Sequence, residues 1–76
     1  MPNFDKELDA SGLTCPMPVM KCKKMLQTLT TGQVLHLMAT DPGTKSDIPV
    51  LVGKTGDQIL ESGEEGGKYH FYIKKG

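Results

Sequence analysis

The sequence predicts an α/β chain of the α+β kind: a two-layer sandwich in the order βαβαββ, with two helices packed on one face of a mixed four-stranded sheet. Three observations carry this prediction. Val19, Cys22, Met25, Leu26 and Leu29 recur at helical spacing behind a proline-marked start. Val34 to Thr40 is a strand whose apolar residues fall on both faces, which suits a central position. Tyr69, Phe71 and Ile73 alternate with His70, Tyr72 and Lys74, giving a last strand with one apolar face.

The elements follow in order. Lys6 to Asp9, anchored by Leu8, reads as a short first strand, and Ser11-Gly12 turns the chain. The first helix is predicted from about Pro16 to Leu29, with Cys15 as N-cap, Pro16 at the first helical position and Pro18 at the third. Thr30-Thr31-Gly32 stops it, Gly32 acting as a left-handed cap. After the central strand, Asp41-Pro42-Gly43 is a turn. Asp47 is then the expected cap of a short second helix over Val50 to about Gly53, with Ile48 and Pro49 in its first turn. Gln58 to Ser62 forms a third strand, and Glu64-Glu65-Gly66-Gly67 is a hairpin signal. A right-handed crossover would make the first two strands parallel. The order of strands across the sheet does not follow from the sequence.

Size and charge limit what such a chain can do. With 76 residues it is read as one domain spanning 1–76, too small to build a deep cavity around a large substrate. Nine basic residues balance nine acidic ones, so no long-range attraction to nucleic acid or to an anionic membrane is implied. No apolar run is long enough for a membrane span. The start Met1-Pro2-Asn3-Phe4-Asp5 lacks the basic-then-apolar pattern of a secretion signal. The expected compartment is the cytoplasm, where thiols stay reduced. The two cysteines and two histidines show no metal-ligand spacing, and neither metal nor organic cofactor is called for.

The chemistry-bearing stretch is Leu13-Thr14-Cys15-Pro16-Met17-Pro18. A cysteine at the start of a helix lies at the positive end of its dipole, which favours thiolate over thiol. Thiolate is the nucleophile, so Cys15 is the candidate reactive residue, and Pro16 and Pro18 fix the backbone that presents it. The alternative for Cys15 is a small residue filling a packed turn. Met17 and Met20 lie off the core face near Cys15, as adaptable partner contacts or as ordinary surface methionines. Lys21 and Lys24 point away from the core, forming a solvated face or meeting an acidic partner. Cys22 belongs to the apolar face as a small hydrophobe. It stands seven residues from Cys15, a rise of about 10 Å on one helix, too far for a disulfide. His36 is expected to be structural, and His70 solvated or at an interface. Asp41 and Asp47 are most simply a turn former and a cap.

The Cys15-Pro16-Met17-Pro18 motif resembles the hallmark of the TusA (SirA-like) family of sulfur carriers. Leu8-Asp9-Ala10-Ser11-Gly12-Leu13 and Asp41-Pro42-Gly43-Thr44-Lys45-Ser46-Asp47-Ile48-Pro49 extend the likeness over nearly the whole chain. Where many relatives carry an aromatic-Cys pair and a later His, this chain has Leu51-Val52 and Asp57, and Cys22 is not required by the family pattern. The resemblance implies a two-layer α/β sandwich and a sulfurtransferase-type persulfide carrier. Cys15 would accept sulfane sulfur from a donor protein, a cysteine desulfurase or rhodanese-type enzyme. It would pass the sulfur to an acceptor protein serving tRNA thiolation, sulfur oxidation or cofactor sulfuration. Two other readings are a non-catalytic RNA- or protein-binding regulatory module and a thiol oxidoreductase using Cys15 and Cys22. The neutral charge opposes RNA binding, and the seven-residue spacing opposes the oxidoreductase.

Overall fold

The predicted order is the observed one. A computed structural model describes residues 3–14 and 16–76, with strand β1 (Lys6–Ala10), helix α1 (Met17–Gln27), strand β2 (Val34–Ala39), helix α2 (Thr44–Thr55) and strands β3 (Gln58–Glu65) and β4 (Lys68–Lys74). The strands form one sheet in the order β1-β2-β4-β3. β1 and β2 are parallel, with Leu8 opposite Leu37 and Ala10 opposite Ala39. β2 and β4 are antiparallel, as are β4 and β3. The last hairpin therefore folds back so that β4 enters between β2 and β3, and β2 takes the interior position its two-faced apolar pattern asks for.

One face of the sheet carries the core. Ala10, Leu35, Leu37, Ala39, Phe71 and Ile73 pack against Cys22, Leu26 and Leu29 of the first helical segment and Ile48, Leu51 and Val52 of α2. Both helices thus lie on the same side, where alternate strand residues supply a continuous apolar surface. The hairpin turn is Gly66-Gly67, both at positive φ, between the paired Glu65 and Lys68. Two residues at positive φ are what a tight two-residue hairpin needs, and glycine meets that need without strain. Between Ile59 and Glu61 the β3–β4 register slips, leaving Leu60 as the extra residue of a bulge.

Several boundaries differ from the sequence expectation. α1 ends at the C-cap Thr28, whose hydroxyl donates to the Met25 carbonyl at 2.6 Å. Gly32 does have positive φ, yet it lies beyond that cap and donates its N–H to Lys75, turning the chain into β2 rather than closing the helix. Asp47 is not a cap. α2 begins at Thr44 with Gly43 as N-cap, and Asp47 lies inside the first turn. The Asp41 carbonyl accepts both the N–H and the hydroxyl of Thr44, and Thr44 is buried, so the turn nucleates the helix earlier than the proline suggests. Pro49 consequently falls within the helix. It lacks the N–H of an interior residue, and the buried Thr44 and Ile48 on either side of the first turn offset that loss by packing. β3 also extends beyond Ser62, to Glu65.

Candidate functional site

The candidate site is built at the end of the parallel strand pair, where β1 gives way to α1. Beyond Ala10 the chain turns at once: Ser11 donates its N–H to the Asp9 carboxylate at 3.0 Å, and Leu13 donates to the Ala10 carbonyl. The Ser11 side chain and then its N–H are what draw the exposed Asp9 carboxyl below the usual carboxylate range. The Ser11 hydroxyl stands near that carboxylate without meeting hydrogen-bond geometry, so the firm contact is the backbone one. Gly12 turns through φ +82°, a conformation that suits glycine, and gives its N–H to the Thr40 hydroxyl oxygen at 2.9 Å.

Cys15 lies outside the described residues, while the chain on both sides of it is placed. Met17 donates its N–H to the Thr14 carbonyl at 2.9 Å. The N-cap of α1 is Pro16, at φ −96° and ψ 10°, not Cys15 as expected. Its carbonyl accepts the Met20 N–H at 3.0 Å. Met17 is then the first helical residue and Pro18 the second. The shift has a local cause: the Thr14–Met17 turn satisfies the Met17 N–H, and neither Pro16 nor Pro18 has one to satisfy. Cys15 still stands in the sequence immediately before the positive end of α1.

The two prolines differ in surroundings. Pro16 is exposed, whereas Pro18 is fully buried and belongs to the core-facing side of α1. The other candidate contact residues face outward as expected. Met17 is 42% exposed and Met20 58%. Lys21 and Lys24 are exposed and line a shallow groove between α1 and β1 with Leu8, Met25 and Thr28. Val50 on α2, not singled out in the sequence, is a further exposed apolar residue at 55%.

Cys22 is fully buried in the core, and burial, with the negative charge of Asp57 adding to it, pushes its thiol up to about 12. It is a packing residue, not a nucleophile. Among the described residues no three His, Cys, Asp or Glu side chains converge as metal ligands. Among them, too, no helix is long and apolar enough to cross a membrane.

Fold and sequence together define a class: a small α+β sandwich whose first helix is entered through a Cys-Pro-Met-Pro sequence. The family model described as sulfurtransferase TusA matches residues 6–75, and the chain belongs to that family. It is 55% identical over 75 residues to the sulfur carrier protein TusA of Allochromatium vinosum, covering 99% of each chain. It is 45% identical over 71 residues to the sulfur carrier protein TusA of Pseudomonas entomophila, covering 93% of this chain and 89% of that one. A crystal structure of a SirA-like protein from Desulfitobacterium hafniense superposes with a TM-score of 0.81, over 95% of this chain and 99% of the other. At 24% identity that likeness speaks for the fold.

Proposed function

We propose that this chain is a sulfur carrier that holds sulfane sulfur as a persulfide on Cys15 and hands it to a second protein. The observation that carries this is the intact Cys15-Pro16-Met17-Pro18 motif at the start of α1, in a chain of the TusA family. The relatives' names support the carrier role and lend nothing to an RNA- or protein-binding regulatory module.

The chemistry is one of exchange. A donor persulfide, R–S–SH, presents its outer sulfur. The Cys15 thiolate attacks that sulfur, a new S–S bond forms, and R–S⁻ leaves with the electron pair of the bond that breaks. The product is Cys15–S–SH, no net oxidation occurs, and the step repeats in the opposite sense when an acceptor thiolate attacks. The positive end of α1 favours both thiolate and perthiolate. Pro16 and Pro18 restrict the backbone on the helix side of the cysteine.

Donors are protein persulfides of the cysteine desulfurase or rhodanese type, and acceptors are proteins of tRNA thiolation, sulfur oxidation or cofactor sulfuration. Met17, Met20, Lys21 and Lys24, exposed along α1, form the contact surface for such partners. Residues 1–76 act as one TusA-like domain in the cytoplasm, where the thiol stays reduced. Intact mass after incubation with a sulfane-sulfur donor tests the assignment. The wild type gains about 32 Da, the mass of one sulfur. Cys15→Ser gains none, and Cys22→Ala still loads. Loading of Cys15→Ser to the wild-type level would refute it.

A further inference from the structure

We infer that Thr40 is a positioning residue for sulfur transfer, because its hydroxyl oxygen ties the loop bearing Cys15 to the end of β2. This rests on the reading of Cys15 as the carrier. β1 and β2 run parallel and their ladder ends at Ala10 opposite Ala39, so the loops that follow leave the sheet side by side. Past that point the strands no longer hold each other. The contact that takes over is Gly12 N–H to Thr40 Oγ1, 2.9 Å, between residues 28 apart in the sequence.

Its place in the loop gives the bond leverage. Gly12 sits at φ +82° within the turn closed by Leu13 N–H and the Ala10 carbonyl. After Cys15 in the sequence, Pro16 is the N-cap of α1. In the sequence Cys15 falls between the start of α1 and Gly12, and Thr40 anchors that glycine. Thr40 also precedes Asp41, whose carbonyl holds the N–H and hydroxyl of Thr44, so the same contact joins the Cys15 loop to the start of α2. Transfer between two proteins needs three sulfurs in line, so loosening the loop lowers rate more than it lowers stability. The bond is exposed, and water can replace the lost acceptor, which keeps the stability cost small.

The test compares Thr40→Val, Thr40→Ala and Thr40→Ser with the wild type. Four readouts are taken: hydrogen exchange at the Gly12 amide, thermal unfolding, loading by inorganic polysulfide, and single-turnover transfer from a thiosulfate-loaded rhodanese. In Thr40→Val and Thr40→Ala the Gly12 amide exchanges faster and transfer from rhodanese slows about tenfold, while polysulfide loading still reaches one added sulfur. Thr40→Ser restores both exchange and transfer, because it keeps the acceptor. Wild-type transfer in Thr40→Val despite faster Gly12 exchange would overturn the inference, as would failure of Thr40→Ser to restore the rate. Should Thr40→Val unfold, Thr40→Ala carries the comparison, and unfolding of both makes the contact structural and defeats the inference. If the wild type itself takes no sulfur on Cys15, the carrier reading fails instead, and Gly12 exchange still reports the contact.

Discussion

His36 and His70 meet edge to edge on the sheet face that the helices leave open. Nε2 of His36 lies 3.0 Å from Nδ1 of His70, with the ring planes 18° apart. On its other side His36 places Nδ1 3.1 Å from a Glu7 carboxylate oxygen. Its face lies parallel to Tyr72, centroids 4.4 Å apart. Glu7 and Tyr72 are the direct cross-strand neighbours of His36, and His70 is the diagonal one. The cluster therefore fastens β1, β2 and β4 together on the side that lacks a helix, and His36 is only 6% exposed.

A stability prediction follows from that cluster. His36→Ala should destabilise the protein by about 2 kcal/mol, since it removes a buried ring and its partners. His70→Ala should cost about 1 kcal/mol, the scale of one hydrogen bond. The double variant should cost less than the sum, because each single change already breaks the shared contact. Urea unfolding of the four proteins measures this, and strict additivity would mean that the His36–His70 contact contributes nothing of its own.

Cys22 gives a prediction with a sign in pH. Its thiol is raised to about 12 in the folded chain, against an ordinary value of about 8.5 when unfolded. Below the ordinary value both states keep the proton and the contribution is intact. As pH rises above it, the unfolded chain loses the proton while the folded one retains it, so stability falls, by up to about 1.4 kcal/mol per pH unit. Between pH ~9 and ~11 the wild type should lose stability more steeply than Cys22→Ala. Equal slopes would show that the Cys22 thiol does not drive alkaline unfolding. In the native protein at neutral pH, alkylation should likewise modify Cys15 and spare Cys22.

The prolines should separate in mutagenesis. Pro18 is buried, so Pro18→Ala opens a gap in the core and costs about 1–2 kcal/mol. Pro16 is exposed, and Pro16→Ala should shift stability by about 1 kcal/mol or less. Both should slow persulfide transfer, since both fix the entry to α1. Thermal unfolding beside single-turnover transfer makes the comparison. A Pro16→Ala variant that transfers at the wild-type rate would leave its ring without a positioning role.

What the sequence alone determined is what depends on neighbouring residues. The apolar repeat through Cys22 and Leu26 specified α1 and its buried face, since helical spacing is a local property. The alternation from Tyr69 to Ile73 specified β4, and Gly66-Gly67 its turn, because few residues accept positive φ twice running. The Cys-Pro-x-Pro order stands in the sequence directly at the start of the helix that forms from Met17.

What only the tertiary structure decided involves residues far apart in the chain. The insertion of β4 between β2 and β3 depends on which edge the hairpin finds, and no local pattern encodes that. Asp47 and Pro49 read locally as a helix start, but burial of Thr44 and Ile48 moved the start to Thr44, packing outweighing a local signal. Pro18 read as a backbone device, and only the approach of the sheet made it a core residue as well. The hydrogen bonds of Gly12 to Thr40 and of His36 to His70 join strands and loops that the chain itself does not place side by side. A side chain's need for a partner is written in its chemistry, but which partner meets it is settled when distant segments pack.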